Sequence, residues 1–440
     1  MPRTACNASF LAASLSLLGA ASAGAAVLAG WSQYGTNGEV DAKVVTDESS
    51  CPAMIADGRP LAMRERAAPS EAFPVRICVA PIPPGTRHLR AEGLRLPVPV
   101  ARPRHIVVFG DTGCRVKGPV VQDCSEEAAW PFRDVAAHAA QEHPDLMLHL
   151  GDYVYRESPC RPGDPRCAGT PWGDNWPTWK ADFFVPAAPL LHETVWLMGR
   201  GNHEDCRRNG IGWTTLIGHD PIHEPCHPHD SPLLVDLGGV KLALLDDNAA
   251  ADLLKDLDPG VAEPLKRDIA TAIEAKADWL VTHHPFRGIS KPDKRLGGNA
   301  WEGANATLLS ALDGTDEAPL TLMLAGHIHN FQTLNFAGST TPQLVIGEGG
   351  AQLDSGVPPR LDGLTTGGAA VVDGMSLPGF GYVVMDRIGD GQDWKITVHS
   401  AEGTVLRRCR LEARRLSCVA ADRAAADPVP PQARRASTRG

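Results

Sequence analysis

Five short polar clusters in the sequence contain the residue types that bind metal ions and move protons. They are Gly110-Asp111-Thr112-Gly113, Gly151-Asp152-Tyr153-Val154-Tyr155, Gly201-Asn202-His203-Glu204, Thr282-His283-His284-Pro285 and Gly326-His327-Ile328-His329. Alone, a Gly-Asp pair is usually a turn, and a pair of histidines is usually structural or on the surface. Together the clusters offer carboxylate, amide and imidazole ligands, which suit first-row transition metals better than calcium. Their number exceeds the three or four ligands of one zinc ion, so the set predicts two ions.

Two neighbouring metal ions point to a particular chemistry. Ions about 3.5–4 Å apart can hold both the attacking and the leaving oxygen of a phosphoryl transfer, and they can turn water into hydroxide near neutral pH. One carboxylate must bridge such a pair, and a central aspartate is the natural choice. The clusters therefore predict a hydrolase that cleaves phosphate esters.

The elements that must position these clusters are short apolar runs. Five runs precede the five clusters, and a sixth stands between them: Ile106–Phe109, Leu146–Leu150, Thr194–Met198, Trp279–Thr282, Leu322–Leu324 and, as the sixth, Leu242–Leu245. Runs of this length are typical of strands buried on both faces. Helical patterns lie between some of them: Ser125 offers an N-cap for a helix ending before Pro144, and Leu265, Ile269 and Ile273 are helically spaced. Alternating strands and helices predict an α/β layered domain, whose ligands bind where the strands end.

As an ordered set, the motifs resemble those of the calcineurin-like metallophosphoesterase superfamily, and their details resemble its purple acid phosphatase branch. Most of the superfamily has Asp-x-His in the first motif, whereas this chain has Asp111-Thr112-Gly113. The branch supplies a tyrosine instead, and Tyr155 stands at that position. The resemblance implies a four-layer α/β/β/α metallophosphoesterase sandwich, an α/β (α+β) fold.

The resemblance also implies two sets of metal ligands. The first ion, Fe(III) in the family, would be held by Asp111, Asp152, Tyr155 and His329. The second, a divalent Fe, Zn or Mn ion, would be held by Asp152, Asn202, His283 and His327. A metal-bound hydroxide would attack phosphorus, and His203 would protonate the leaving group or bind phosphate. His283 is preferred to His284 because the family ligand lies two residues before the proline, which leaves His284 either to support a metal ligand or to contact the substrate.

The N-terminal sequence is typical of an exported protein. Arg3 precedes a short apolar stretch from Phe10 to Ala20, followed by small residues that suit a cleavage site. A membrane anchor is the alternative, but the stretch is shorter than the roughly 20 residues needed to span a bilayer. We expect a signal peptide at 1–25, a small β-rich domain and proline-rich linker at 26–103, the catalytic domain at 104–420 and a disordered tail at 421–440.

Cysteine usage agrees with export to the periplasm or the cell exterior. Ten cysteines follow the signal and fall in neighbouring pairs: Cys51/Cys78, Cys114/Cys124, Cys160/Cys167, Cys206/Cys226 and Cys409/Cys418. Sequential disulfides are the simplest hypothesis, although sequence alone does not determine connectivity. Structural zinc is less favoured, since there is no Cys-x-x-Cys pair. Disulfides in turn indicate an oxidising compartment.

Composition limits the partners. The formal net charge is −10, and no basic stripe alternates with aromatic residues, which disfavours a nucleic-acid platform. We expect no membrane span in the mature chain, and the oligomeric state is not predicted. Arg156 and Arg200 flank motifs and could contact phosphate or form surface salt bridges.

These observations predict an exported phosphatase for small-molecule phosphate monoesters. The alternatives are a phosphodiesterase or nucleotide hydrolase of the same superfamily, a zinc hydrolase for amides or lactones, and a secreted binding protein with a dead site. The last is disfavoured because every matched ligand position carries a ligating residue. The natural substrate and the second metal are not predicted.

Overall fold

The structure, a computed structural model, describes residues 27–251, 257–292 and 301–422. The predicted signal peptide and residues 423–440 of the predicted tail lie outside the described residues.

Short strands make up the N-terminal part, as its β-type sequence predicts. They are β1 (Val27–Tyr34), β2 (Val40–Thr46), β3 (Met54–Ala56), β4 (Arg59–Leu61), β5 (Arg64–Ala67), β6 (Arg76–Pro81), β7 (Leu89–Ala91) and β8 (Leu94–Leu96). Buried β-branched and aromatic side chains on β1, β2 and β6, such as Trp31, Val44 and Ile77, favour the pleated strand.

The central part alternates strands with helices. Its elements are β9 (His105–Phe109), β10 (Val116–Lys117), β11 (Val120–Val121), α1 (Phe132–Gln141), β12 (Leu146–His149), α2 (Trp176–Trp179), α3 (Val185–Leu191), β13 (Val195–Met198), α4 (Gly210–Gly212), β14 (Leu233–Asp236), β15 (Lys241–Leu244), α5 (Pro259–Glu274), β16 (Trp279–Val281), α6 (Ala306–Leu312), β17 (Leu322–Ala325), β18 (Phe331–Phe336) and β19 (Gln343–Ile346). Each of the six predicted apolar runs forms a strand, so those predictions are confirmed.

The C-terminal part is again built from strands. They are β20 (Thr365–Thr366), β21 (Ala369–Leu377), β22 (Gly381–Ile388), β23 (Asp393–Ser400), β24 (Val405–Glu412) and β25 (Arg415–Ala420). Strands β22 to β25 form an antiparallel meander.

Two large sheets contain most of the described strands. The eleven-stranded sheet has the order β25-β24-β23-β22-β9-β12-β13-β1-β2-β6-β5, and the eight-stranded sheet has the order β14-β15-β16-β17-β19-β18-β21-β20. The strands that precede the polar clusters are parallel neighbours in each sheet: β9, β12 and β13 in the first, β16 and β17 in the second. Their carboxyl ends therefore meet at one edge of each sheet.

Alternation of buried side chains explains why the sheets stack. Ile106 and Val108 of β9 belong to the core between the two sheets, whereas Val107 and Phe109 pack with residues of α1 on the outer face. In the second sheet, Val281 faces the inter-sheet core and Leu280 packs with α5 and α6. Strands buried on both faces need apolar residues at every position, which is what the continuous runs provide. The fold is thus the predicted four-layer α/β/β/α sandwich.

The two helices predicted from periodicity and capping differ in outcome. Helix α5 contains Leu265 and Ile269 in the core, as predicted. The helix predicted to begin at Ser125 instead begins at Phe132, because Pro131 restricts the preceding residue to non-helical conformations. The prediction of a start at Ser125 is therefore wrong.

The N-terminal strands extend the large sheet. Strand β1 runs parallel to β13, and β2, β6 and β5 continue the sheet from it, while β3, β4, β7 and β8 form a separate four-stranded sheet. The region is β-rich, as expected, but much of it shares a sheet with the residues after 104. The domain boundary at 103/104 stays a prediction.

All five predicted disulfides are present: Cys51–Cys78, Cys114–Cys124, Cys160–Cys167, Cys206–Cys226 and Cys409–Cys418. Within the described ranges, none of the helices is long and apolar enough to cross a bilayer.

Candidate metal centre

Three of the predicted ligands lie at strand ends in an unusual backbone conformation. Asp111, Asp152 and His327 have φ angles of 60°, 63° and 66°, in the left-handed region that side chains other than glycine rarely adopt. Such conformations cost free energy and tend to occur where function requires them. Here each of them turns a side chain at the end of β9, β12 or β17.

Close backbone approach explains two of the motif glycines. A Cβ at Gly201 would lie 2.0 Å from the Oδ1 of Asp152, and a Cβ at Gly151 would lie 2.7 Å from the Nδ1 of His283. Only glycine fits at such distances. The glycines therefore allow the loops after β12 and β13 to converge on one point.

The first predicted ligand set converges on the hydroxyl of Tyr155. Its oxygen lies 2.6 Å from the Oδ2 of Asp152, 2.9 Å from the Oδ1 of Asp111 and 2.9 Å from the Nε2 of His329. All four side chains are buried. A phenol has one proton to donate, yet three acceptors surround it.

The second predicted set meets around the Nε2 of His283. This atom lies 2.9 Å from the Oδ1 of Asn202, 3.3 Å from the Oδ2 of Asp152 and 3.3 Å from the Nδ1 of His327. Asp152 is common to both sets, as expected of a bridging carboxylate. The structure thus brings together all seven residues predicted as ligands: Asp111, Asp152, Tyr155, Asn202, His283, His327 and His329.

The charges of this cluster suit bound cations. Burial raises the pKa of Tyr155 well above its usual value, and Asp111 and Asp152 raise it further. Burial lowers the pKa of His283, but the carboxylate of Asp152 outweighs that effect and raises it to about 10. Buried acceptors that face one another need a positive charge between them. Two transition-metal ions satisfy this mixed set of carboxylate, phenol, amide and imidazole ligands.

Hydrogen bonds orient the imidazole ligands. The Nδ1 of His329 lies 2.6 Å from the carbonyl of Gln352, and the Nδ1 of His283 lies 2.9 Å from the carbonyl of Leu150. An Nδ1 that faces a carbonyl must carry the proton to donate to it, and this tautomer would leave Nε2 to hold a metal ion.

Asp247, which follows β15, is a positioning residue that the sequence reasoning missed. Its carboxylate accepts from the backbone N–H groups of His283 and His284 at 2.7 and 2.8 Å, and lies 2.8 Å from the Nδ1 of His284. The carboxylate therefore orients His284 beside His327, with 4.2 Å between the ring centroids. The sequence did offer one indication of this role, since Asp247 follows the apolar run Leu242–Leu245 as the predicted ligands follow their own runs.

His203 lies above the cluster and has a carboxylate partner of its own. Its Nδ1 lies 2.6 Å from the Oε1 of Glu157, and its Nε2 lies 3.9 Å from the Oδ2 of Asp152. Burial raises the pKa of Glu157, but His203 and then Lys117 outweigh that effect and lower it to about 2. Glu157 is therefore ionised at neutral pH. Sequence reasoning missed it, although it stands only two residues after Tyr155.

Glu204, the last residue of the third motif, stabilises the loop after β12. Its buried carboxylate accepts from the backbone N–H groups of Asp152, Tyr153, Val154 and Gly201 at 2.9–3.2 Å. Burial raises its pKa to about 8. It thereby positions Asp152, the predicted bridging ligand.

The two arginines considered as phosphate contacts are buried in ion pairs. Arg156 pairs with Asp182, whose other oxygen accepts from the backbone N–H of Tyr155. Arg200 lies 3.2 Å from Asp246 and donates to the carbonyl of Glu204. Neither forms a surface salt bridge. Arg156, through Asp182, fixes the backbone at Tyr155, and Arg200 fixes the backbone at Glu204.

A cavity of about 720 Å³ opens over the cluster. Asp152, Tyr155, Asn202, His203, His284, His327 and His329 all line it. Four basic residues line it as well: Arg115, Lys117, Arg208 and Lys291. Two carboxylates outside the predicted ligand set, Glu302 and Asp354, line it too, so the basic residues outnumber them by four to two.

Comparisons with known proteins agree with the site. The sequence profile described as calcineurin-like phosphoesterase matches residues 104–331, just over half of the chain. No curated protein matches the sequence. Membership of the family implies a dinuclear metal centre and a phosphate-ester substrate.

Solved structures share the fold at low sequence identity. A purple acid phosphatase, PPD1, from yellow lupin (Lupinus luteus) seeds has 15% identity and a TM-score of 0.53, over 87% of this chain and 74% of that one. PhoD has 12% identity and a TM-score of 0.53, over 89% of this chain and 92% of that one. On the strength of the profile match and the shared architecture, this chain belongs to the calcineurin-like phosphoesterase family and is a metal-dependent phosphoesterase.

Proposed function

We propose that the chain is an exported phosphatase that hydrolyses phosphate monoesters at a two-metal centre of the purple acid phosphatase type. The observation that carries this proposal is the convergence of two carboxylates and an imidazole on the phenol hydroxyl of Tyr155. The proposed ligands of Fe(III) are Asp111, Asp152, Tyr155 and His329. Those of the divalent Fe, Zn or Mn ion are Asp152, Asn202, His283 and His327.

Bound metal ions would supply an activated water and neutralise charge on the phosphoryl oxygens. The chain's own residues do the rest. The Nδ1 of His203 faces the ionised Glu157, so its Nε2 is the nitrogen left to face the cavity. From there His203 protonates the leaving oxygen. His284, oriented by Asp247, contacts the phosphoryl group from the side of His327.

Export is supported by five disulfides, which persist in oxidising compartments. The sequence before the described residues has the pattern of a secretion signal. We place the mature enzyme in the periplasm or outside the cell. Fractionation of the native host should recover it outside the cytoplasm, and recovery in the cytosol with reduced cysteines would contradict this assignment.

A phosphodiesterase is the second candidate, because the cavity has room for organic groups on two phosphoryl oxygens as well as on one. Its volume is about 720 Å³. We would measure hydrolysis of p-nitrophenyl phosphate, bis(p-nitrophenyl) phosphate, an aryl amide and a lactone by the metal-loaded protein. We expect the monoester to give the highest kcat/KM. A higher value for the diester would replace the monoesterase proposal, and a preference for amide or lactone would replace both.

A further inference from the structure

Arg115 differs from the other basic residues of the cavity because it is partly buried and has no carboxylate partner among the residues that the structure describes. Of the other basic residues that line the cavity, Lys117 pairs with Glu157 at 2.9 Å, Arg208 lies 3.8 Å from Asp205, and Lys291 is exposed to solvent. Within the described ranges, Arg115 has no carboxylate partner, and its buried Nε has no hydrogen-bond partner. A guanidinium that is partly desolvated and unpaired is costly unless it meets an anion.

The position of this guanidinium is beside the proposed metal ligands. Its Cζ lies 4.9 Å from the centroid of the Tyr155 ring, a cation–π arrangement, and both residues line the cavity. The guanidinium is therefore next to the place where the phosphoryl group of a substrate must sit to reach the centre.

The backbone around Arg115 is fixed in advance. Its N–H donates to the side chain of Gln122 at 3.0 Å, and its carbonyl accepts from the N–H of Gln122 at 2.8 Å. The disulfide Cys114–Cys124 closes the same short loop. A Cβ at Gly113 would lie 2.7 Å from the carbonyl oxygen of Tyr153, so the loop packs directly on the segment that carries Tyr155. A loop backbone held this way loses little conformational entropy when its side chain binds an anion.

We propose that Arg115 binds the phosphoryl group of the substrate, donating two hydrogen bonds from its planar guanidinium to two phosphoryl oxygens. This inference rests on the proposed phosphatase function and deepens it. A monoester dianion keeps three free oxygens and two negative charges, whereas a diester keeps two free oxygens and one charge. Both esters can offer two oxygens to the guanidinium, so the preference for the monoester comes from its second negative charge. Arg115 is thus a substrate-binding residue that selects phosphate monoesters.

The test compares Arg115→Gln, which removes the charge, with Arg115→Lys, which keeps the charge but not the planar fork. Arg90→Gln, at an exposed position in the small sheet, is the matched control. Each protein is loaded with metal, its metal content and visible absorption are measured, and its affinity for inorganic phosphate is determined by calorimetry. Circular dichroism checks the fold.

We expect Arg115→Gln to bind inorganic phosphate about 10- to 100-fold more weakly than the wild type, as for the loss of a charge-assisted hydrogen-bond pair. The phosphate affinity of Arg115→Lys should lie between those of Arg115→Gln and the wild type. Metal content should be unchanged in both variants. The ratio of monoester to diester kcat/KM should fall in Arg115→Gln, and Arg90→Gln should match the wild type.

Two results would overturn the proposed role of Arg115 and leave the proposed phosphatase function standing. In the first, the wild type is metal-loaded and active, and both Arg115 variants have the same phosphate affinity and the same ester preference as the wild type. The other is a loss of phosphate binding that follows only from lost metal, which would make Arg115 a support for Tyr155. A metal-loaded wild type that neither binds phosphate nor hydrolyses either ester would instead overturn the proposed function, and this inference with it.

Discussion

Tyr155 is the residue of the proposed centre on which the identity of the first metal would depend most. Its hydroxyl lies among the carboxylates of Asp111 and Asp152 and the imidazole of His329. Burial raises its pKa, so a cation is needed to hold it as a phenolate. Fe(III) bound by a phenolate gives a visible charge-transfer band, which a zinc or manganese ion does not.

We therefore expect Tyr155→Phe to abolish the visible band of the iron-loaded protein and to lower kcat by about 100-fold, a typical effect of disturbing a metal site. Tyr382→Phe is the matched control, since the Tyr382 hydroxyl lies 3.2 Å from Glu142, away from the cluster. Absorption spectra and p-nitrophenyl phosphate assays provide both readouts. A colourless wild type with both metals bound would refute Fe(III) ligation by Tyr155.

In the proposed mechanism, Glu157 acts on the reaction through His203, with 2.6 Å between its Oε1 and the Nδ1 of the imidazole. Glu157→Gln removes the negative charge and the fixed ring orientation. We expect kcat to fall about 10- to 100-fold with metal content retained. The deficit should be larger for alkyl phosphates than for p-nitrophenyl phosphate, because poor leaving groups need the proton more.

Glu193→Gln is the control for Glu157→Gln, since Glu193 pairs with His143 in a similar way on the surface. It should leave kcat unchanged for every leaving group. An equal loss for alkyl and aryl esters in Glu157→Gln would show that Glu157 serves the fold and not proton transfer.

At the scale of elements, Asp174 ties the loop before α2 to α4. Its carboxylate accepts from the indole N–H of Trp179 at 3.0 Å and from the backbone N–H groups of Ile211 and Gly212 at 2.9 and 3.1 Å. Burial raises its pKa to about 6, although these hydrogen bonds lower it. The folded state therefore holds this proton more tightly than the unfolded chain does.

The stability that this group contributes is full below its unfolded pKa near 4 and is lost as pH rises through about 6. We expect the free energy of unfolding of the wild type, relative to Asp174→Asn, to fall by up to about 2 kcal/mol between pH 4 and pH 7. Urea unfolding of both proteins at several pH values measures the difference. Parallel pH profiles would contradict the prediction.

At the scale of the whole molecule, disulfides should stabilise in the order of the loops they close. Cys51–Cys78 spans 27 residues and Cys160–Cys167 spans 7. Loop entropy predicts losses of about 3.5 and about 2.4 kcal/mol when the respective pair is replaced by alanine. Chemical denaturation of the two double variants tests this order, and a greater loss from the shorter loop would contradict it.

What the sequence predicts well is local. The strand runs, the glycines and the ligand types are adjacent in sequence, so the place of Asp111, Asp152 and His327 at strand ends follows from pattern alone. Disulfide partners that are neighbours in sequence were predictable for the same reason.

What the sequence predicts poorly depends on long-range contact. Pairing of β1 with β13 joins residues far apart in the chain, and no local pattern specifies it. The partners of Arg156 and Arg200 are buried carboxylates that only the folded chain brings near. Pro131 indicates that α1 starts late, but the acidic residues after Ser125 favoured an earlier start.

The most direct test of the central claim is phosphate release from p-nitrophenyl phosphate by the mature, metal-loaded wild type and by Asp152→Ala, with metal content measured in both. Asp386→Ala, at a partly exposed position of β22, controls for loss of a carboxylate. If Asp152 bridges two metal ions in a phosphatase, the wild type and the Asp386→Ala control should both be active. The Asp152→Ala protein should lose metal and release phosphate only at the background rate. An Asp152→Ala protein that keeps both metals and full activity, or a fully loaded wild type that releases no phosphate, would contradict the account.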